Sequence, residues 1–323
     1  MLQWRKLLLS AGAAFGSAAA FNLLATRTVQ PLENLIGGNT GWFDWRGRRI
    51  AYTVRGRGPA LLLVHGINVA SWSYEWRDNV DALAQHHTVF TLDLLGFGRS
   101  DRPAVRYGPR LYTALLRDFA RRVVAGPCTL VAAGLSGTYA IELAAGDPGR
   151  FPALVLIAPA GMSRTGERPS VGGGAARQFL DAPVVGTAAF NAMVTRTALE
   201  RSLRDAYHRD ALVTDALVAM SYQTAHQPGA RHAPAAFLAG QLNLDVRPAL
   251  RRLTQPALLV WGVQAVYAPV EDSLAFRSLK PDLAVELLHP AGDLPHAEQP
   301  AQFNRVVLEF MERVHADAIA EAR

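Results

Sequence analysis

The sequence predicts an α/β fold: a mostly parallel sheet with helices on both faces. Three observations carry that prediction. Short, uninterrupted apolar runs recur at residues 60–64, 88–92, 129–133, 153–158, 257–261 and 284–288, as expected of strands buried on both faces. Helical patterns fall between them, at 111–124, 138–145, 274–278 and 301–314, and strands alternating with helices imply parallel pairing. Several runs end in turns such as His65-Gly66-Ile67-Asn68, the glycine-rich loop 93–101 and Pro159-Ala160-Gly161. In such folds ligand chemistry gathers at these carboxyl ends.

Length and composition narrow the classes. A chain of 323 residues, half of them hydrophobic, suits one core domain with an insertion. The net charge is +6, carried almost wholly by arginines dispersed along the chain; Lys6 and Lys280 are the two lysines. Dispersal without a basic stripe argues against a nucleic-acid partner. The single cysteine, Cys128, precludes an internal disulfide. No Cys/His cluster or H-E-x-x-H pattern points to a metal, and no G-x-G-x-x-G follows the first core strand, so no cofactor is expected.

From the N-terminus, Arg5 and Lys6 precede an uncharged stretch, 7–25, of about bilayer length. It reads as an uncleaved signal-anchor with the core outside the cytoplasm. It also fits a signal peptide cut near Ala18-Ala19-Ala20, which would leave a secreted or periplasmic chain. A third reading is an amphipathic helix packed on the core. The anchor is preferred because Asn22-Leu23-Leu24-Ala25 extends the run. Residues 1–25 are thus the leader and 26–40 a linker. Residues 42–54 look like a hairpin turning at Arg46-Gly47, which opens the first part of the core, 41–161.

At 127–137 the chain reads P-C-T-L-V-A-A-G-L-S-G. An apolar strand runs into a tight turn and then a helix, with small residues Ala132 and Ser136 two places either side of Gly134. This is the layout of a nucleophile elbow, whose central residue is held in a strained conformation. Glycine takes that conformation freely, but it carries no oxygen. The alternation then breaks: 162–244 opens with a Gly/Ser/Arg-rich loop at 163–174. Helical patterns follow at 176–180, 185–194, 197–207 and 211–224. His208, His226 and His232 in this insertion read as surface or loop residues. The second core part, 245–316, carries Trp261-Gly262 and the run L-P-H-A-E-Q-P at 294–300, and 317–323 reads as a tail.

Taken in order, the His65-Gly66 turn, the 93–101 loop, the elbow, Trp261-Gly262 and L-P-H-A-E-Q-P resemble the α/β-hydrolase superfamily, in its esterase, lipase and C–C-hydrolase branch, over roughly residues 41 to 316. The resemblance implies an α/β-hydrolase fold whose insertion is a helical cap over a pocket. It also implies a triad of Ser, then Asp or Glu, then His, in that chain order. Those places fall on Gly134, Ala265 and Asp293. A second register, G-L-S-G-T, would make Ser136 the nucleophile. Gly134 is preferred because strand length, helix start and the distance to Pro148 then fit the family spacing without a gap. Two fallback groups remain: His296 as a displaced base, otherwise a structural histidine, and Asp293 as a general base, otherwise a solvated turn residue.

The resemblance further places an oxyanion hole at the backbone N–H groups of Ile67 and Leu135, donors that survive side-chain loss. His65 stands beside it. Pocket-lining candidates are His65, Phe190, Met193, Met220 and Phe237. The expectation is a membrane-tethered hydrolase-fold protein without the standard triad, binding a small apolar ligand or a protein partner. The alternative is an active ester or C–C hydrolase using Ser136, Asp293 and His296. A third is a docking role in an envelope complex.

Overall fold

Eight strands form one sheet in the computed structural model, which describes residues 2–162 and 171–321. The strands are β1 (Asn39–Asp44), β2 (Arg49–Arg55), β3 (Ala60–Val64), β4 (Thr88–Leu92), β5 (Cys128–Ala133), β6 (Leu154–Ile157), β7 (Ala257–Gly262) and β8 (Ala284–Leu288), in the order β1-β2-β4-β3-β5-β6-β7-β8. The β1–β2 hairpin turns at Arg46 and Gly47, both at positive φ, and β2 pairs antiparallel with β4. Every other pairing is parallel.

Side chains alternate across the sheet with period two. Leu62, Val64, Leu130, Ala132, Leu156 and Trp261 face α3 (Pro109–Phe119) and α4 (Leu135–Gly146). Leu61, Leu63, Val131, Val155 and Val260 face α2 (Val80–Leu83) and α13 (Pro300–Glu321). The runs at β3, β5, β6 and β7 are therefore strands covered twice, whereas 284–288, expected to be buried on both faces, is the edge strand β8 with Glu286 and Leu287 exposed, because no described strand pairs beyond it. The chain crosses from β3 to β4 on one side and to β5 on the other. This switch point leaves a crevice at the carboxyl ends of β3 and β5.

The insertion holds α5 (Val171–Asp181), α6 (Val185–Met193), α7 (Arg196–Ala206), α8 (Asp215–Ala225) and α9 (His232–Leu238). It has its own apolar cluster around Leu180, Phe190, Val194 and Leu199. The expected loop 163–174 lies outside the described residues over 163–170. Helix α9 was not foreseen, because Pro234 in its first turn reads as a breaker although the first turn tolerates proline. The short helices α10 (Arg247–Leu250), α11 (Asp272–Leu279) and α12 (Pro295–Glu298) complete the second core part. No tail begins at 317; α13 continues to Glu321.

Residues Leu2–Thr26 form α1, and its end packs on α6. Asn22 Nδ2 donates to Val184 O at 2.9 Å, and buried Asn191 donates to Asn22 Oδ1 at 2.9 Å. Segment 26–40 is no free linker. Gln30 N donates to Gln223 Oε1, Gln223 Nε2 to Thr28 O, and Gln227 Nε2 to Gln30 O. Among the described residues, no helix is long and apolar enough to cross a membrane.

Candidate functional site

Gly134 occupies the bend between β5 and α4 at φ 52° and ψ −125°. Its N–H donates to Ile157 O at 2.9 Å, and its carbonyl accepts from Gly137 N and Ala160 N. The bend is thus clamped by the neighbouring strand and its following turn. A side chain at Gly137 would press on Pro159, so a small residue is required there. A Cβ at Gly134 would meet nothing within 4 Å. The elbow therefore has room for a side chain that the sequence does not supply. Residues Ile67 and Leu135 are buried, and among the described residues their backbone N–H groups donate to no protein acceptor.

Ser136 points the other way. It is fully buried, and its hydroxyl donates to His65 O at 2.6 Å. His65 is equally interior: Nε2 accepts from Leu94 N at 3.1 Å, so Nδ1 carries the proton and donates to Gly66 O at 2.6 Å. His65 is a structural link between two loops and not a pocket-lining residue.

A sheet of this strand order with an elbow at the end of its central strand is a family arrangement. The model of the alpha/beta hydrolase family matches residues 61–306. The chain belongs to that family. An uncharacterized protein of Mycobacterium tuberculosis is 26% identical over 295 residues, covering 88% of this chain and 85% of its own. The 2-hydroxy-6-oxo-6-(2'-aminophenyl)hexa-2,4-dienoic acid hydrolase of Metapseudomonas resinovorans is 24% identical over 276 residues, covering 83% and 89%. Among solved structures, a serine hydrolase involved in carbazole degradation superposes with a TM-score of 0.72 at 22% identity, over 85% of this chain and 99% of its own. A membrane phospholipase A superposes at 0.71 and 23% identity, over 97% and 98%.

Two of the positions that the sequence singles out, 265 and 293, lie on loops joined by one carboxylate. Asp293 accepts from Val266 N (3.0 Å), Tyr267 N (3.0 Å) and Ala268 N (2.8 Å). These groups lie just past Ala265. Burial pushes the Asp293 carboxyl above its ordinary range, against the pull of those N–H groups, with Glu298 adding to the rise. Asp293 is thus a loop anchor and not the solvated turn residue expected as its plain role. Ala265 contributes a methyl packed on the main core.

His296 is fully buried under Trp76, ring centroids 4.7 Å apart, and its carbonyl accepts from Asn79 Nδ2 at 3.0 Å. Its Nε2 stands 3.1 Å from Glu75 Oε1, off hydrogen-bond alignment. The other oxygen of Glu75 accepts from Gly66 N at 3.0 Å. No contact joins Ser136, Asp293 and His296. The fallback set is dispersed, with Ser136 beneath the elbow, Asp293 on the β7 loop and His296 behind Glu75.

Sequence reading missed Glu75 and Glu298. Glu298 accepts from Gly292 N and from His208 N and Arg209 N at 3.0 Å, and Asp293 N donates to Ala206 O at 2.8 Å. The loop carrying Asp293 is thereby tied to the end of cap helix α7. The signal for Glu298 was present, as the acid of L-P-H-A-E-Q-P, but its partners lie in a distant segment. Glu75 carries no local signal.

The remaining pocket candidates also move. Phe190 is a packing residue of the cap cluster, Met193 is exposed on α6, Met220 is half-buried on α8, and Phe237 packs on the main core. His226 and His232 are buried, not superficial: His226 stacks on Tyr222, and His232 sits 3.1 Å from Asp181. Two surface clefts of about 470 and 510 Å³ lie away from the elbow. Among the described residues, no cluster of His, Cys, Asp or Glu is arranged to hold a metal ion.

Proposed function

We propose that this protein is a hydrolase-fold binder without the standard triad, tethered to a membrane with its core outside the cytoplasm. It takes up a small apolar molecule bearing a carbonyl or carboxylate oxygen. The observation that carries the reading is the elbow. Residue 134 holds the backbone geometry of a nucleophile, with open space for its side chain, and is glycine. The free N–H groups of Ile67 and Leu135 offer an oxygen two donors there. Asp293, spent on the 266–268 backbone, supports the same reading, since a carboxylate held by three donors is poorly placed to shuttle protons. The uncharged run 7–25 behind Arg5 and Lys6 supports tethering.

Relatives named as a 2-hydroxy-6-oxo-6-(2'-aminophenyl)hexa-2,4-dienoic acid hydrolase and a 2-hydroxymuconate semialdehyde hydrolase support an oxygen-bearing ligand class. Restoring the triad tests the assignment. The combined Gly134→Ser, Ala265→Asp and Asp293→His chain is expected to hydrolyse short acyl esters, where the native chain gives only the buffer rate. Hydrolysis by the native chain, abolished by Ile67→Pro, would contradict the proposal.

A further inference from the structure

The tether and the cap form one structural unit, and that unit has an apolar outer face. The end of α1 and the segment after it are bonded to cap helices α6 and α8 through Asn22, Ala25, Thr28 and Gln30. At about 100° per residue, Ala18, Asn22 and Ala25 share the docked side of α1. Phe15 lies on that same side, seven residues before Asn22, yet is 52% exposed, so α1 outruns the cap. Leu23 and Leu24 point away from the cap, 73% and 68% exposed. Val185 and Met193 on α6 and Phe179 on α5 are exposed as well, and α6 packs on both α1 and α5.

We propose that α1, α5 and α6 together are the membrane-contact face of this protein, so that the cap, and not the sheet, rests on the bilayer. The inference rests on the tethering reading above and adds the orientation. Asn22 fixes the depth. An unpaired amide in hydrocarbon is costly, and this one is paired with Asn191 and Val184 at the level where α1 meets the cap. In this orientation the exposed side chains of Leu23, Leu24, Phe179 and Met193 are seated at the headgroup–acyl boundary.

Environment-sensitive labelling of the full chain decides the question. The native Cys128 is buried, and burial pushes its thiol up to about 12, so it stays unlabelled. Single cysteines are introduced as Phe179→Cys and Met193→Cys on the cap and as Leu287→Cys on the exposed face of β8. Each carries a nitrobenzoxadiazole label and is mixed with phosphatidylglycerol/phosphatidylcholine vesicles. Positions 179 and 193 are expected to blue-shift and to be quenched by spin-labelled lipid, with 287 unchanged. If the chain floats with the vesicles while 179 and 193 stay in water, or while 287 responds equally, the orientation is wrong and the tether stands. If the chain does not float, the tethering reading fails and takes the orientation with it.

Discussion

Asp293 shows how one carboxylate can tie two loops at the carboxyl end of the sheet together. It closes the 266–268 loop with its oxygens and reaches the cap with its own N–H. Asp293→Ala leaves those loop N–H groups without an acceptor and is expected to cost about 1–3 kcal/mol in urea unfolding. Asp293→Asn keeps one acceptor oxygen and never ionises. The native carboxyl has its folded pKa raised by burial, so its contribution is fully present below the ordinary value and is lost as pH rises through the folded one. The stability of Asp293→Asn relative to the native chain therefore increases as pH rises above about 4. A relative stability that falls over that range would contradict the burial account. Gly134 was legible from the chain alone because its turn is local, set by a strand, small flanking residues and a helix start. The role of Asp293 was not, because its partners lie 25 to 27 residues away and present only backbone atoms.

At the scale of elements, the loop after β4 is the firmest part of the crevice wall. Asp93 is fully buried and accepts from Ser73 N (2.8 Å), Arg99 N (3.0 Å) and Arg99 Nε (2.9 Å), joining this loop to the turn Ser73–Trp76. Burial pushes its carboxyl up, but Arg99, His65 and the two N–H groups outweigh that and hold it below its ordinary range. A depressed carboxyl contributes stability above the unfolded value of about 3.9, and that stability is lost as pH falls through the folded value. Asp93→Asn leaves the Arg99 guanidinium buried and unpaired, at a cost of about 3–5 kcal/mol near neutral pH. The cost should shrink under acid, and thermal unfolding of both chains across pH checks it. Strand positions were legible because β3, β6 and β7 are uninterrupted apolar runs bounded by turn residues. The helices fared less well. The expected 111–124 starts at Pro109 and ends in a wider turn at Ala120–Val124, and α9 hides behind its proline. The hydrogen bonds from segment 28–30 to α8 are long-range and polar, so nothing periodic announced them.

For the whole molecule, the sheet and its strand order are those of the alpha/beta hydrolase family, and the proposed difference lies at the elbow, where residue 134 is glycine. The fold was legible because it rests on apolar periodicity, which any buried parallel sheet must display. The cap's place was legible as a break in that rhythm, whereas which cap residues face the elbow was not, since core and pocket side chains share one composition. This is why Phe190, read as a pocket liner, proves to be cap core. The measurement that bears most directly on the central claim is the intact mass of the native chain after exposure to a fluorophosphonate. With glycine at 134 and the Ser136 hydroxyl buried against His65, no adduct forms and the mass is unchanged. A stoichiometric phosphonyl adduct, mapped by peptide sequencing to Ser136, would mean that the elbow carries a live nucleophile and that the protein is a working serine hydrolase.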